Sequence, residues 1–447
     1  MSSPKDVLRG LVALINSAAE DAMRQYDRAG CEIPTIDAPN EQQLPSDTTE
    51  LKKALRVLEG ACRQLCITLT PPALTMWTRA LATNDVACLR VAVSSKVADV
   101  IAQQPEGMHV KEIAEKTNLH QRKLQKVLRA LAATHCFREV TPDVFANNPL
   151  SLTLRQENTI SALVRMRATE FNKFAVSNFY DALVDPEYSH SLDKRRSAWS
   201  WGIRNEIPNG TMFDYMEAHP ESYSQFHRAM GGIAKITGLE GVVNHFPWKD
   251  LPQGSTVCDV GSGVGMVSIE LAKKYPNLHL MLQDLPSVVI QAQQFWAEKY
   301  PTAAEEQRVN FRPLDFFAES PAKDQDVYYI RQIIHDWPDE DCEKILKNVR
   351  AAMKPSSRVL IHEYIIPSNT SCGARDSGRE TAPKPLLPNY GYGSTRTYLQ
   401  DVNMLILLNA GERTLEEFNI IAAKTGLRFV KVWDFLETGV IEYEVDV

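Results

Sequence analysis

The stretch that decides the fold is Asp259-Val260-Gly261-Ser262-Gly263-Val264-Gly265, which lies between an apolar run, Val257 to Val260, and an amphipathic segment, Met266 to Tyr275. Glycines are needed where a strand turns sharply into a helix and approaches a ligand, because a side chain would block the approach. The helix N-terminus offers free amides and positive dipole character to an anionic group. Asp284 ends the next strand-like run, where a carboxylate can accept from both hydroxyls of a ribose. The stretch therefore predicts a nucleoside-binding crevice in an α/β domain.

The glycine spacing narrows the choice of nucleoside. Gly261, Gly263 and Gly265 form G-x-G-x-G rather than the G-x-G-x-x-G of dinucleotide-binding proteins, and no phosphate-binding Gly-Lys-Ser/Thr ending follows. An acidic residue at the strand end suits a cofactor that carries a cation better than one that carries a pyrophosphate. This combination resembles the first motif of S-adenosylmethionine-dependent methyltransferases, whose sulfonium is positive. The alternative left by the motif alone is a glycine turn in an unrelated α/β protein.

Composition indicates a globular protein of two domains. The chain has 447 residues, of which 44% are hydrophobic and 23% are charged. A net charge of −7 argues against general nucleic-acid binding. The chain contains no run of about twenty apolar residues, so the sequence predicts no membrane span. Its first residues also lack the apolar core of a secretory signal. Cys62 and Cys66 lie one helical turn apart, but no second pair with zinc spacing accompanies them. We therefore expect reduced thiols, no metal and a cytoplasmic location.

The organisation along the chain predicts an N-terminal helical arm (1–60), a helical winged-helix dimerisation domain (61–245) and a cofactor-binding α/β domain (246–447). Within the arm, a helix from Val7 to Tyr26 is followed by a polar linker from Ile33 to Thr48. Helical periodicity then resumes from Leu51 to Leu69.

The next region is richer in apolar residues. Leu74 to Gln104 contains many Ala, Val and Leu residues and predicts buried helices. Residues 109 to 148 have a winged helix-turn-helix pattern, with a turn at Asn118 and a two-stranded wing from Phe137 to Phe145. Seven Lys/Arg against two acidic residues between 109 and 138 make DNA binding one interpretation. We favour a folding and dimerisation scaffold, because the same fold hosts unrelated functions and the rest of the chain carries small-molecule chemistry.

From residue 255 onward, strand-like runs alternate with helical segments, which predicts a Rossmann-like, doubly wound, mostly parallel sheet. Two C-terminal β-rich runs, Arg428–Trp433 and Val440–Val445, predict an antiparallel pair. Between Pro367 and Tyr398 lies a segment rich in Pro, Gly and Ser, which predicts an irregular loop of the kind from which active-site lids are made. The predicted parallel strands are Thr256–Val260, Leu278–Gln283, Val309–Arg312, Asp326–Ile330 and Arg358–Ile361.

Polar residues follow these strands at the edge where an open sheet places its ligands. After the third strand, Asp315 can accept from an adenine amino group while the Phe316 ring stacks on the base. After the fourth, His335 has the pKa range of a base for a phenol. Glu363 follows the fifth strand, and Glu412 lies in Gly411-Glu412-Arg413-Thr414. Either carboxylate can orient an imidazole and stabilise its imidazolium.

Each of these clusters also has a purely structural interpretation. His335-Asp336-Trp337 can simply begin a helix that Asp336 or Asp339 caps. Glu412 and Arg413 can form an exposed ion pair, and His362 can be a spectator. The shared position of four acidic or basic residues at strand ends favours one common site; these residues are Asp284, Asp315, His335 and Glu363.

The stretch Ile333-Ile334-His335-Asp336-Trp337-Pro338-Asp339-Glu340-Asp341-Cys342 resembles the signature of class I, cation-independent O-methyltransferases of the caffeic-acid type, including fungal sterigmatocystin-type enzymes. The resemblance covers most of the chain, because other motifs follow in the family order: the winged helix, Phe213…His219-Pro220-Glu221…Phe226…Met230, the glycine turn, Asp284-Leu285-Pro286, Asp315-Phe316 and Gly411-Glu412-Arg413-Thr414. Arg331 stands where many relatives have lysine, and Ser262 replaces a common glycine. The segment Pro367–Tyr398 looks longer than in plant relatives.

This resemblance implies roles for individual residues. His335 would be the general base, flanked by Glu363 and Glu412. The family also implies S-adenosyl-L-methionine as cofactor, a homodimer and an aromatic, polyketide-derived acceptor. The residues implied to hold the cofactor are Gly261, Asp284, Asp315, Phe316 and Arg331. Those implied to line the acceptor pocket are Met230, Met404 and Asn409.

The predicted function is therefore methyl transfer to a phenolic hydroxyl. Its rival is a pericyclase or cyclase of the same fold that binds the cofactor without consuming it. Such an enzyme needs no His–Glu base, so the presence of His335, Glu363 and Glu412 argues for methyl transfer.

Overall fold

The computed structural model describes residues 3–38, 44–45, 47–237, 239–303, 306–368 and 380–446. Two N-terminal helices, α1 (Pro4–Ala29) and α2 (Thr49–Leu69), pack against each other as a hairpin. The Ser3 hydroxyl accepts a hydrogen bond from the Asp6 N–H at the start of α1, and Gly30 ends the helix in the left-handed conformation. Part of the predicted linker, residues 39–43 and 46, lies outside the described residues. Helix α2 continues across residue 60, where the N-terminal arm was predicted to end. The predicted domain boundaries stay predictions.

The winged helix is confirmed. The turn between its two main helices places Asn118 in the left-handed region, at φ 54°. Its wing has three strands in the order β1-β3-β2, because β1 pairs with β3 beside the two predicted strands. The elements of this region are α3 (Pro72–Ala80), α4 (Ala82–Ser94), α5 (Val97–Ile101), β1 (Met108–His109), α6 (Val110–Thr117), α7 (Gln121–Ala133), β2 (Arg138–Thr141) and β3 (Val144–Ala146).

The prediction of buried helices over Leu74–Gln104 is wrong for its first part. No residue of α3 is buried, and Met76 and Trp77 are 61% and 65% exposed. Burial begins only near the end of α4, at Ala92 and Val93. An apolar composition predicts that a helix face is buried, but it does not show whether the same chain or another chain buries it. A contiguous apolar face exposed on one chain marks an interaction surface.

A second set of helices follows the winged helix and contributes a core around Trp199. Met404 and Leu407, from a helix much later in the chain, pack into the same core. This core therefore joins the helical part of the molecule to the α/β part. The elements are α8 (Pro149–Leu152), α9 (Thr159–Met166), a π-helical segment (Arg167–Ala175), α10 (Phe179–Val184), α11 (Ala198–Ile203), α12 (Met212–Ala218), α13 (Pro220–Ile236) and α14 (Leu239–His245).

The C-terminal part contains a seven-stranded sheet. Its strands are β4 (Ser255–Val260), β5 (Leu278–Asp284), β6 (Val309–Pro313), β7 (Val327–Arg331), β8 (Arg358–Glu363), β9 (Leu427–Asp434) and β10 (Gly439–Val445). Their order is β6-β5-β4-β7-β8-β10-β9, with the first five strands parallel and β10 antiparallel to both neighbours. All the predicted strands are confirmed.

Helices cover both faces of the sheet, which confirms the doubly wound α/β class. They are α15 (Met266–Lys274), α16 (Pro286–Lys299), α17 (Asp339–Ala352), α18 (Thr395–Leu408) and α19 (Leu415–Lys424). One buried core lies between the sheet and α17 and α19, and the other between the sheet and α14, α15 and α16. Within the described part of the chain, no helix has both the length and the apolarity needed to cross a membrane.

The irregular segment predicted at 367–398 contacts the N-terminal hairpin. Its residues 369–379 lie outside the described part. Beyond them, Leu386 and Tyr390 pack in one core with Leu11 of α1 and Ala61 of α2. Gly60 approaches so closely that a Cβ there would lie 2.4 Å from the Tyr390 carbonyl oxygen. The described half of this segment is therefore anchored to the hairpin.

Candidate active site

The glycine turn joins β4 to α15 and leaves open space at one position only. All three glycines have positive φ, +70° at Gly261, +54° at Gly263 and +78° at Gly265, where other residues are strained. A Cβ at Gly261 would lie 2.6 Å from Ile333 Cδ1, and one at Gly265 would lie 2.3 Å from Leu282 Cδ2. A Cβ at Gly263 would meet nothing within 4 Å. Gly261 and Gly265 thus permit packing of the protein on itself, whereas Gly263 faces free space.

Asp284 lies at the end of β5, beside this turn. Its Oδ2 accepts from the Gly263 N–H at 2.8 Å, and its Oδ1 accepts from the Leu285 N–H at 2.7 Å. Burial raises the pKa of the carboxyl, and the two backbone donors oppose that shift. Two fixed hydrogen bonds leave further lone pairs on both oxygens, so the carboxylate can still accept from a ligand.

Three further residues are predicted to bind the cofactor, and the structure shows one of them beside the turn. The Phe316 ring lies close to it, because a Cβ at Gly261 would be 3.6 Å from Phe316 Cε1. Asp315 Oδ1 accepts from the Phe317 N–H at 3.0 Å. Arg331 donates from Nη2 to the Thr237 carbonyl oxygen at 3.4 Å, and its Nε is buried with no hydrogen-bond partner among the described residues. A buried donor without an acceptor is costly, so Arg331 is suited to a ligand that supplies one.

His335 lies on a 3₁₀ turn after β7 and is buried beside two carboxylates. Its Nδ1 is 2.9 Å from Glu412 Oε1 and 3.5 Å from Glu363 Oε2. Glu363 Oε1 accepts from the backbone N–H groups of Ile333 and Ile334, each at 2.9 Å. Glu363 therefore holds the turn that carries the imidazole, and Glu412 orients the ring itself. The structure brings together the three residues predicted to form the catalytic group.

The charges in this cluster shift its protonation. Burial lowers the pKa of His335, but Glu412, Glu363 and Asp336 together outweigh burial and hold that pKa well above its usual range. Burial raises the pKa of the Glu363 carboxyl, and the His335 charge opposes this shift. The carboxylates therefore stabilise the protonated form of the His335 imidazole, which is the form that results when the ring accepts a proton.

The same three residues have ligand atoms within 4.8 Å of one another, which is a spacing that can hold a metal ion. The 2.9 Å contact between His335 Nδ1 and Glu412 Oε1 is an ordinary hydrogen-bond distance, so these two atoms bond to each other directly. The absence of a metal stays a prediction.

Arg413 is a site residue whose role the sequence did not reveal. It is 8% exposed, and its guanidinium donates to the Ile334 carbonyl oxygen at 2.9 Å and to the Trp337 carbonyl oxygen at 2.7 Å. It also pairs with Asp339 at 2.8 Å. The interpretation of Glu412 and Arg413 as an exposed ion pair is wrong, because each binds the His335 turn. The sequence shows that Arg413 is charged, but it cannot show which backbone carbonyl groups of the folded turn lie within its reach.

His362 is a spectator, as one interpretation held. Its Nδ1 lies 2.6 Å from the Tyr329 hydroxyl and its Nε2 lies 2.8 Å from the Thr438 hydroxyl. Burial holds its pKa well below the usual range. His362 therefore stays neutral and contributes to the core beneath the site.

The predicted acceptor-pocket residues lie where the helical part meets the α/β part. Met404 is buried in the shared core, and Met230 packs against that core. Asn409 follows α18 with φ 53°, and its Nδ2 donates to the Ser191 and Asp193 carbonyl oxygens at 3.1 and 2.9 Å. The Asn409 amide N–H groups thus hold a loop of the helical part.

Comparisons with known proteins identify the family to which the chain belongs. Residues 200–428 match the O-methyltransferase domain, and residues 78–157 match the O-methyltransferase dimerisation domain. The 3-O-methyltransferase 2 of Phanerochaete chrysosporium is 40% identical over 443 residues, which are 98% of this chain and 97% of that protein. Sterigmatocystin 8-O-methyltransferase of Aspergillus parasiticus is 29% identical, over 95% of this chain and 94% of its own.

Among solved structures, LepI in complex with S-adenosylmethionine aligns with a TM-score of 0.69, over 90% of this chain and 95% of its own. At 20% identity that likeness shows the fold alone. The predicted enzyme class and the predicted cofactor, S-adenosylmethionine, are confirmed by the family. The chain belongs to the O-methyltransferase family, with the family's dimerisation domain followed by its catalytic domain.

Proposed function

We propose that this O-methyltransferase methylates a phenolic hydroxyl and that His335 is the general base. The observation that carries the proposal is the buried 2.9 Å hydrogen bond between His335 Nδ1 and Glu412 Oε1. With Nδ1 engaged, Nε2 is the nitrogen left to accept the phenolic proton. Asp336 Oδ1 is 3.6 Å from Nε2, which is beyond hydrogen-bond range. Nε2 is therefore available to an acceptor.

The two glutamates support the proton transfer because they stabilise its product. Transfer to Nε2 creates an imidazolium, and Glu412 and Glu363 lie next to that charge in a water-poor site where electrostatic interactions are strong. When bound, S-adenosylmethionine supplies an electrophilic methyl group on a cationic sulfur. The protein aligns the phenol with the base. Such alignment can lower the activation barrier by several kcal/mol, with an upper limit of about 7–11 kcal/mol.

The cofactor residues stay proposals, and the geometry of the turn fits them. Open space at Gly263 admits a ligand against the backbone, and Asp284 beside it can accept from ribose hydroxyls. Phe316 offers a ring and Asp315 a carboxylate for an adenine base. The buried, unpartnered Arg331 Nε can donate to the carboxylate of the methionine moiety.

A polyketide-derived acceptor is supported by the resemblance described above and by a relative that is named sterigmatocystin 8-O-methyltransferase. A homodimer is supported by the dimerisation domain and by the exposed apolar face of α3. A cytoplasmic location stays a prediction from the sequence. The absence of nucleic-acid binding also stays a prediction.

The test uses methyl-labelled cofactor with a panel of phenols and aromatic polyketides. We expect His335→Ala to bind the cofactor with unchanged affinity and to lose roughly 10²- to 10⁴-fold in kcat, the usual contribution of a positioned base. His279→Ala, an exposed histidine on β5, is the matched control and should retain wild-type turnover. Turnover of His335→Ala at the wild-type rate would show that the base is another group.

The rival function, a pericyclase or cyclase that retains its cofactor, is distinguished in the same assay. Methyl transfer puts the label in the product and consumes the cofactor mole for mole. A new product that contains no label, formed while the cofactor is preserved, would favour the rival.

A further inference from the structure

The proton that the proposed reaction leaves on His335 must return to water before the next turnover. The Nδ1 side of the ring offers no route, because the side chains of Glu412 and Glu363, which lie on that side, are both 0% exposed. Burial opposes the charged ring, but the charges of Glu412, Glu363 and Asp336 outweigh it and hold the pKa of His335 well above its usual range. Each unit of such a rise makes release of the proton to water about tenfold less favourable. Recovery of the base therefore calls for a proton acceptor on the Nε2 side.

Asp336 is the carboxylate on that side of the ring. Its Oδ1 lies 3.6 Å from His335 Nε2, and its side chain is 27% exposed, whereas that of His335 is 9% exposed. Glu412 is held by its bond to Nδ1 and Glu363 by two backbone N–H groups, but the Asp336 carboxylate makes no hydrogen bond with another described residue. It is therefore free to move the short distance to Nε2, or to reach it through one water molecule.

Lys194 lies between Asp336 and the protein surface. It begins the 3₁₀ turn Lys194–Arg196, and its Nζ lies 4.7 Å from the centroid of the Trp337 ring. The residues on either side of Lys194 are exposed, so this turn is at the surface. Burial raises the pKa of the Asp336 carboxyl, which makes it a better proton acceptor, whereas nearby positive charges, that of Lys194 among them, oppose the rise. The cation thus favours the return of the carboxyl to its ionised form.

We propose that Asp336 carries the proton from His335 to solvent after each methyl transfer. The step breaks the Nε2–H bond of the imidazolium and forms an O–H bond on Asp336 Oδ1, and the carboxyl then gives this proton to water beside Lys194. The inference rests on the proposed function, because it needs a proton on His335. Loss of Asp336 should therefore slow the step that restores the base, and not the transfer of the methyl group.

The test separates the first turnover from later ones. Rapid-quench mixing of the enzyme with excess methyl-labelled cofactor and a phenol that the wild type methylates measures both. We expect Asp336→Asn to form the first equivalent of labelled product at close to the wild-type rate and then to slow roughly 10- to 100-fold, because Glu412 and Glu363 still hold the proton on His335. Imidazole buffer at constant pH and ionic strength should restore the later turnovers, since a mobile base replaces the carboxylate. A purely structural role of Asp336 would give no such rescue.

Glu340→Gln is the matched control, because it replaces an exposed carboxylate four residues further along the chain by its amide. It should give the wild-type time course with no effect of imidazole. Lys194→Gln, which removes the cation beside Asp336, provides a second variant should Asp336→Asn fold poorly, and it should slow the later turnovers by a smaller factor.

Two results would overturn the relay through Asp336. One is a first turnover that slows as much as the later ones, and the other is a slow steady state that imidazole does not restore. If His335→Ala turns over like the wild type, no proton reaches His335 and the proposed function falls as well. If His335→Ala loses turnover while Asp336→Asn keeps the wild-type time course, the base stands and only the relay falls.

Discussion

The two glutamates beside His335 have different tasks. Glu363 uses one oxygen to bind two backbone N–H groups of the turn, whereas Glu412 bonds to the imidazole directly. A substitution at Glu363 therefore disturbs the position of the turn, and one at Glu412 changes mainly the electrostatics of the base. Sequence order predicted both carboxylates but not this division, because it depends on which backbone groups face them.

Glu412→Gln should shift the pH dependence of catalysis. The base must be neutral, so kcat/KM rises with pH through the pKa of His335. Glu412 is one of the charges that raise this pKa, and its removal lowers the pKa. We expect the acidic limb of the profile to move to lower pH and the plateau to fall, because the imidazolium loses its partner. Glu416→Gln, at an exposed position nearby, should keep the wild-type profile. An unmoved acidic limb would contradict the assignment of that limb to His335.

At the scale of elements, the sequence correctly predicted the features that depend on local patterns. The glycine turn, the alternation of strands and helices and the winged helix each depend on residues close in the chain, and each was confirmed. The function of Arg413, the loop held by Asn409 and the anchoring of 380–394 depend on partners far apart in sequence. Apolar periodicity also could not show that α3 is uncovered within one chain. Local pattern thus predicts elements, and long-range contacts decide how they are used.

The glycine turn offers a matched pair of substitutions. Gly265→Ala places a Cβ against Leu282 and Trp296 in a core at positive φ, and we expect a loss of roughly 2–5 kcal/mol in unfolding free energy. Gly263→Ala meets open space, so it should cost only the roughly 1–2 kcal/mol of backbone strain.

The cofactor affinity of Gly263→Ala should nevertheless fall by more than about tenfold, because the added methyl occupies the ligand's approach. Denaturant unfolding and calorimetry measure the two effects separately. Wild-type cofactor affinity in Gly263→Ala would mean that the cofactor binds elsewhere.

At the scale of the whole molecule, an apolar surface that adjoins and enters the matched dimerisation domain is uncovered among the described residues of one chain. It runs from the end of α2 through α3 into α4, and its exposed members are Ile67, Leu69, Leu74, Met76, Trp77, Leu81 and Val86. Large aromatic and methionine side chains are typical of the centre of an interface.

Trp77→Asp should therefore weaken the proposed dimer. A charge on a buried interface aromatic costs at least about 2 kcal/mol, or roughly 30-fold in the dissociation constant. Sedimentation velocity over a range of protein concentrations measures the change. Ile420→Asp, which alters a 51% exposed apolar residue on α19, should leave the association state unchanged. Equal sedimentation of both variants and the wild type would place the interface elsewhere.

The hairpin formed by α1 and α2 also constrains the order in which the chain can mature. Its apolar face is covered by Leu386 and Tyr390, and Gln64 donates to the Pro385 carbonyl oxygen across 321 residues of sequence. Arg56 likewise donates to the Leu436 carbonyl oxygen, near the C-terminus. During synthesis the first helices thus emerge long before the residues that cover them, and the loop closure that joins them is among the longest in the fold. The hairpin cannot bury this apolar face until residues 385–390 have been synthesised, so the nascent chain carries the face uncovered in the meantime.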